Sequence, residues 1–217
     1  MLLACTCLLF FALRYVLHVS GETRFIDDTY GDPEMGIIPS YSIANCWNNE
    51  SSCPGCVLHP DASQAYDGTW HETTSNECNG QDNNAAGHSV AFNFIGTTLT
   101  IFAITVSQGP QSWQTNLSFN LDGETSYSTL FQSSLGETYE FSYAVPVFNI
   151  SWLDNVLHTF TMTASQGTAA STVHFDYATY WWNSDRSLPL LKVHLRVECG
   201  SDLPIEHWGV RVVVYRF

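Results

Sequence analysis

Between positions 66 and 71 the chain places Tyr66, Asp67, Trp70 and His71 within six residues. Those side-chain types suit a neutral sugar. An aromatic face lies against the apolar C–H side of a pyranose ring, and carboxylate and imidazole groups bond its hydroxyls. The competing reading is structural, with Trp70 in a core and Asp67-Gly68 forming a turn. Trp113 is a second candidate. It lies in the polar stretch Ser107-Gln108-Gly109-Pro110-Gln111-Ser112-Trp113-Gln114, where an aromatic on a loop either meets a glycan or packs onto its own domain. Asp27, Asp28 and Asp32 crowd a Gly-containing turn, and such oxygen-rich loops hold calcium. Their spacing is not that of an EF-hand, so a solvated acidic turn is the alternative. Asp176, between Phe175 and Tyr177, reads as a group that bonds backbone near a sheet.

Catalytic patterns are missing. No Gly-x-Ser-x-Gly elbow, HExxH helix or phosphate-cradling glycine loop occurs in the sequence. A glycosidase needs two positioned carboxylates, and with so many acids in the chain chance pairs are inevitable. His59, His71, His88, His158 and His174 show no close ligand spacing. The expectation is a module that binds and does not react, needing no cofactor beyond a structural calcium ion.

Charge excludes further classes. No lysine or arginine occurs from residue 25 to residue 185, while 17 of the 21 Asp and Glu residues fall there. Nucleic-acid backbones and anionic membranes are held by Lys and Arg, so neither is an expected partner. Neutral carbohydrate or a cell-surface protein is.

The elements that must position these residues are strands. Val90, Phe92 and Phe94 alternate with small or polar residues, and Leu99 to Val106 is apolar on both faces. Asn116 to Leu121 leads through the Asp122-Gly123 hairpin signal into Thr125 to Phe131. Tyr139, Phe141, Tyr143 and Val145 alternate up to Pro146. Thr159 to Thr163 follows, and Val173, Phe175 and Tyr177 close the series. Strands at this spacing with Gly and Asn turns predict an all-β antiparallel two-sheet β-sandwich over residues 22–180.

The chain begins with an apolar run of about a dozen residues that suits a cleaved signal peptide at 1–21, or a signal anchor, and is too short to span a bilayer. In a secreted chain Cys46, Cys53, Cys56 and Cys78 read as two disulfides tying a long loop at 46–78. Four cysteines permit three pairings. Cys53 with Cys56 and Cys46 with Cys78 is one of them. Zinc held by Cys53, Cys56 and either His59 or Cys78 is the sharper alternative. Asn49, Asn116 and Asn149 open glycosylation sequons. Residues 181–217 hold five of the seven Lys and Arg residues and the leftover Cys199. Alternation at Leu191–Val197 and Val210–Val214 allows two further strands. Equally, this tail is foreign to the domain, as a translated intron would be.

Several segments together resemble a known group. They are Ile26-Asp27-Asp28-Thr29-Tyr30-Gly31-Asp32, Cys53-Pro54-Gly55-Cys56, Ala65-Tyr66-Asp67-Gly68-Thr69-Trp70-His71-Glu72-Thr73-Thr74, Phe119-Asn120-Leu121-Asp122-Gly123-Glu124, Leu157-His158-Thr159-Phe160-Thr161-Met162 and Phe175-Asp176-Tyr177-Ala178-Thr179-Tyr180. In this order they resemble a largely uncharacterised family of secreted or membrane-anchored proteins common in basidiomycete fungi. The resemblance covers about residues 25–180. It implies a galactose-binding-domain-like jelly roll, commonly followed by a Ser/Thr-rich linker and a transmembrane helix that residues 181–217 do not match. It carries no catalytic motif. The expected function is a secreted module for neutral cell-wall or cell-surface carbohydrate. The alternative is a structural or adhesion ectodomain working through protein contacts.

Overall fold

The computed structural model describes residues 21–49, 53, 56–75, 87–165 and 169–183, with the side chains of 126–128 excepted. The leader, Cys78, Cys199 and the tail beyond residue 183 lie outside the described residues. No described helix is long and apolar enough to cross a membrane.

Period-2 patterning produces the expected strands. They are β1 (Gly21–Asp27), β2 (Ser40–Ser42), β3 (Asn48–Asn49), β4 (His71–Thr74), β5 (His88–Ile95), β6 (Thr98–Gly109), β7 (Gln114–Leu121), β8 (Glu124–Gln132), β9 (Ser134–Leu135), β10 (Glu140–Ser151), β11 (Leu157–Ala164) and β12 (Thr172–Asn183). They form two sheets. One has the order β10-β6-β12-β4-β3, with β1 also on β12 and the short parallel β9 on β6; the other runs β2-β5-β11-β7-β8. The chain is an all-β jelly-roll sandwich. Val90, Phe92, Phe94, Leu117, Phe119, Phe160 and Met162 from the five-stranded sheet meet Leu99, Ile101, Val173, Phe175, Ala178 and Tyr180 from the seven-stranded one. Burial of these apolar faces is the main favourable term in folding. The hairpin after β7 turns at Asp122 and Gly123, both with positive φ, a geometry glycine adopts at little steric cost.

Bulges on β10 and β12 break the alternation. On β10 the run does not end at Pro146 but continues to Ser151. β10 is the edge of its sheet, where a residue without an N–H costs no ladder bond. Register shifts between Ser142 and Val145 reverse the parity, so Phe141 meets His174 while Val145 packs toward the core. On β12 the extra residue is Asp176. Phe175 pairs with Ala103 and Tyr177 with Phe102, and Asp176 stands between them without a β6 partner. As a result Tyr177 faces away from the core that Phe175 enters.

The two apolar faces of β6 have separate causes. One faces the core. Over the other lies the segment from Cys56 to Gly68, anchored at three places. The Glu72 carboxylate rests against Cys56 Sγ, the Asp61 N–H donates to Tyr143 Oη at 2.6 Å, and the Tyr66 ring packs on Tyr177 with centroids 4.7 Å apart. Leu58 is buried there, as are Ile104, Val106 and His174 on the sheet beneath.

Candidate functional site

A cleft of about 560 Å³ opens at the end of the sandwich where β12 begins, lined by Trp113, Glu72, Asn48, Thr74, Thr172 and Val57 among others. Each side chain has a clear reason to be there. Glu72 and Thr74 occupy alternate positions of β4, both on the face away from the core, and Thr74 Oγ1 lies 3.0 Å from Thr172 Oγ1 on the neighbouring strand. Trp113 is fixed by paired bonds to Ser133. Its own N–H donates to Ser133 Oγ at 2.8 Å, and the Ser133 N–H donates to the Trp113 carbonyl at 2.9 Å. The Trp113 ring meets Tyr139 edge-on at 6.4 Å, so it is half-buried but still lines the cleft.

Glu72 is the carboxylate of this lining. It lies 3.2 Å from His174 Nε2, without the alignment of a hydrogen bond. On its other side is the Cys53–Cys56 disulfide. Cys53, Cys56 and Glu72 are the group among the described residues close enough to share a metal ion. Both sulfurs are committed to the bridge, which leaves no thiolate for a metal and removes the zinc reading for this pair. Cys46 is disulfide-bonded as well, and Cys78 lies outside the described residues.

The six-residue cluster at 66–71 is dispersed by the fold. Trp70 is 5% exposed with its indole N–H buried, so it offers no open ring face to a ligand. Trp70 immediately precedes β4 and is buried, although it stands outside the central apolar cluster. His71 faces the space between the sheets. Its Nδ1 is 2.5 Å from Asp28 Oδ2, and its ring stacks on Tyr41 at 4.2 Å and 11°. Asp67 and Gly68 both take positive φ, as a turn requires, and Asp67 is exposed. Tyr66 reaches the surface in an aromatic group. Its ring lies parallel to Phe25 (5.2 Å, 4°), and Tyr177 packs on both.

The acidic trio does not gather around one point. The Asp27 carboxylate accepts the N–H groups of Thr29 and Tyr30, and Asp28 accepts Thr69 Oγ1 (2.6 Å), Thr29 Oγ1 and the His71 ring. Asp32 turns elsewhere, to the N–H groups of Glu34 and Met35 and to Tyr180 Oη at 2.7 Å. All three are buried. A calcium ion needs carboxylate oxygens converging on it, and here protein donors occupy them and Asp32 faces away. The trio therefore does not form the expected ion site.

Asp176 joins Asp27 and Asp28 in this polar interior. It accepts the Tyr66 N–H at 2.9 Å, and its carbonyl accepts the Asp28 N–H at 3.1 Å. Burial raises its carboxyl to about 7, opposed by the Tyr66 bond and reinforced by the neighbouring Asp28 and Asp27 charges. Burial likewise raises Asp27 and lowers His88. Among the described residues Arg24 is the sole Lys or Arg. It reaches Glu34 at 2.9 Å and Asp32 at 3.7 Å, and its guanidinium lies 4.6 Å above the Trp182 ring.

Asn49 and Asn149 are exposed, Asn149 donating to Thr100 Oγ1 at 2.7 Å; Asn116 is half-buried on the face of β7 opposite Leu117 and Phe119. Sequence reasoning missed Glu72, Asn48, Thr74 and Thr172. The Cys53-Pro54-Gly55-Cys56 turn was the available signal, because a bridged loop must lie against some part of the sheet.

No family model and no curated protein matches this chain. Among solved structures it is similar to the Agl-KA catalytic domain at 11% identity and TM-score 0.41, covering 76% of this chain and 28% of that one. The exo-β-1,3-galactanase of Phanerochaete chrysosporium with galactose is 12% identical at TM-score 0.37, covering 74% and 29%. TmCBM61, solved in complex with β-1,4-galactotriose, is 10% identical at TM-score 0.31, covering 68% and 88%. The chain thus spans less than a third of the two catalytic proteins. At TM-scores below 0.5 these likenesses carry no weight for what this chain binds.

Proposed function

We propose that this chain is a secreted, glycosylated, non-catalytic member of the fungal family it resembles, and that it binds a neutral cell-wall or cell-surface glycan in the cleft beside Trp113. The carrying observation is the lining itself: one aromatic residue whose backbone is paired with Ser133, together with amide, hydroxyl and apolar groups in a cleft of about 560 Å³. Sugar recognition needs that combination, an apolar surface for C–H bonds and planar or hydroxyl partners for the ring hydroxyls. Glu72 supplies an acceptor. A glycosidase needs a second carboxylate across the scissile bond, and Glu72 is the acid among the described lining residues. The Cys53–Cys56 bridge and the exposed Asn149 support an extracellular setting.

The test is a glycan-array screen of the full-length secreted protein beside Trp113→Ala. Specific binding to neutral glycans that Trp113→Ala abolishes, at unchanged circular dichroism, is the expected result. Silence across the array would transfer the reading to an adhesion ectodomain.

A further inference from the structure

Glu72 is a buried carboxylate in poor company. It stands in a row across three strands, with Asn48 of β3 on one side and His174 of β12 on the other. Among the described residues no N–H or O–H group is aligned on it. His174 Nε2 lies 3.2 Å from Oε2 without the geometry of a hydrogen bond, and the other oxygen rests against Cys56 Sγ. While Cys56 is held in its bridge, that sulfur carries no proton to donate. A charge buried without a donor is costly. Opening the bridge gives Cys56 an S–H group that Glu72 accepts, so this carboxylate favours the open state over the closed one.

The neighbouring contacts suit such an opening. Asn48 Nδ2 donates to Cys56 Sγ at 3.7 Å, a weak bond that favours negative charge on the sulfur. Cys53 Sγ, Cys56 Sγ and a Glu72 oxygen all lie within 4.8 Å of one another. Both cysteines are half-buried and Cys56 lines the cleft, so a small thiol reaches the bridge from solvent. A purely structural role accounts for little, because the two cysteines are three positions apart and so short a loop hardly constrains the unfolded chain.

We propose that Cys53 and Cys56 form a thiol–disulfide exchange site for small dithiols that enter the cleft, with Glu72 as the proton carrier for Cys56. One sulfur of the dithiol bonds to Cys53 Sγ, the Cys53–Cys56 bond breaks, and its electron pair goes to Cys56 Sγ. Cys56 is the leaving group because the Asn48 amide and the Glu72 carboxylate stand at that sulfur. The proton lost by the incoming thiol reaches Cys56 by way of Glu72. The second thiol of the dithiol then attacks its own first sulfur, releasing Cys53, which takes up the second proton. The dithiol leaves as a cyclic disulfide, oxidised by two electrons, and the bridge is reduced by the same two. The exchange is stoichiometric, once per bridge, and it stands independently of glycan binding.

The experiment equilibrates the full-length secreted protein with mixtures of dithiothreitol and its oxidised form, traps free thiols by alkylation and maps them by mass spectrometry. Wild type, Glu72→Gln and Asn48→Ala are compared, with near-ultraviolet circular dichroism recorded in parallel. In the folded wild type, Cys53 and Cys56 should be alkylated together while Cys46 stays bridged. Glu72→Gln should need at least a tenfold higher ratio of reduced to oxidised dithiol for half-opening, since the uncharged amide no longer disfavours the closed bridge. Asn48→Ala, a change at an exposed position, should slow opening at least threefold and keeps the test open if Glu72→Gln does not fold. A bridge that opens only as the fold is lost would overturn the proposal, as would opening indifferent to both substitutions. Reduced protein that retains one zinc ion per chain and then resists reoxidation would also overturn it, by assigning these side chains to a metal.

Discussion

The Tyr66 backbone N–H and the Asp176 carboxylate, 110 positions apart, meet at 2.9 Å and fasten the segment over β6 to the bulge on β12. That bulge also marks the boundary between two strands. Residues 172–175 of β12 pair with β4, and 177–183 pair with β1. Asp176 thus closes the seam where one partner strand ends and the next begins.

A pH dependence follows. The ordinary carboxyl value of Asp176 is 3.8 and its folded value is about 7, so the folded chain favours its protonated form. Stabilisation is full below pH ~4 and is lost as pH rises through about 7, by on the order of 3 kcal/mol. Asp27 is shifted in the same direction. Asp122 opposes them, since its pairing with His158 lowers its carboxyl. Asp176→Asn keeps an acceptor for Tyr66 and should raise the melting temperature at pH 7.5 while leaving it nearly unchanged at pH 4.5. Parallel melting curves at the two pH values test this, and an equal shift at both would exclude Asp176 as the source.

Trp70 and Trp113 should separate cleanly. Trp70→Ala removes a buried indole and is expected to cost about 3–5 kcal/mol of stability. Trp113→Ala should leave most of the stability and lose glycan binding at least tenfold. Chemical denaturation beside array binding measures both, and a strong binding defect in a fully stable Trp70→Ala protein would contradict the placement of that ring.

Arg24 joins β1 to the turn after it. Its removal leaves the buried Asp32 without its cation and the Trp182 ring without its cap. Arg24→Ala should destabilise the domain by about 2 kcal/mol, and Arg24→Lys should recover only part, because a point charge cannot span Glu34, Asp32 and the ring together. A melting-temperature series over the three proteins gives the answer.

The Cys53–Cys56 bridge closes a very short loop, so its entropic contribution is about 2 kcal/mol or less. Its larger effect is on shape, since Cys56 and Val57 line the cleft. The double change Cys53→Ser with Cys56→Ser should lower the melting temperature slightly and weaken glycan binding severalfold. Titration calorimetry with an oligosaccharide identified on the array reads this directly.

Alternation and turn chemistry were legible from the chain alone, because a strand's period of two and the Asp-Gly turn are local properties. Val90, Phe92 and Phe94 enter the core as their spacing dictates. Acidity was legible as well, because charge is a property of composition. What local pattern could not supply was the effect of one inserted residue. Asp176 and the irregularity near Ala144 reverse which face follows, so Tyr177 leaves the core and Phe141 leaves Val145. Likewise, Tyr66, Trp70 and His71 are close in sequence yet go to the surface, the interior and the space between sheets. Trp113 and Glu72, 41 positions apart in the chain, share one cleft. Proximity in a β-sandwich is decided by strand pairing between distant segments, and only the assembled sheets establish it.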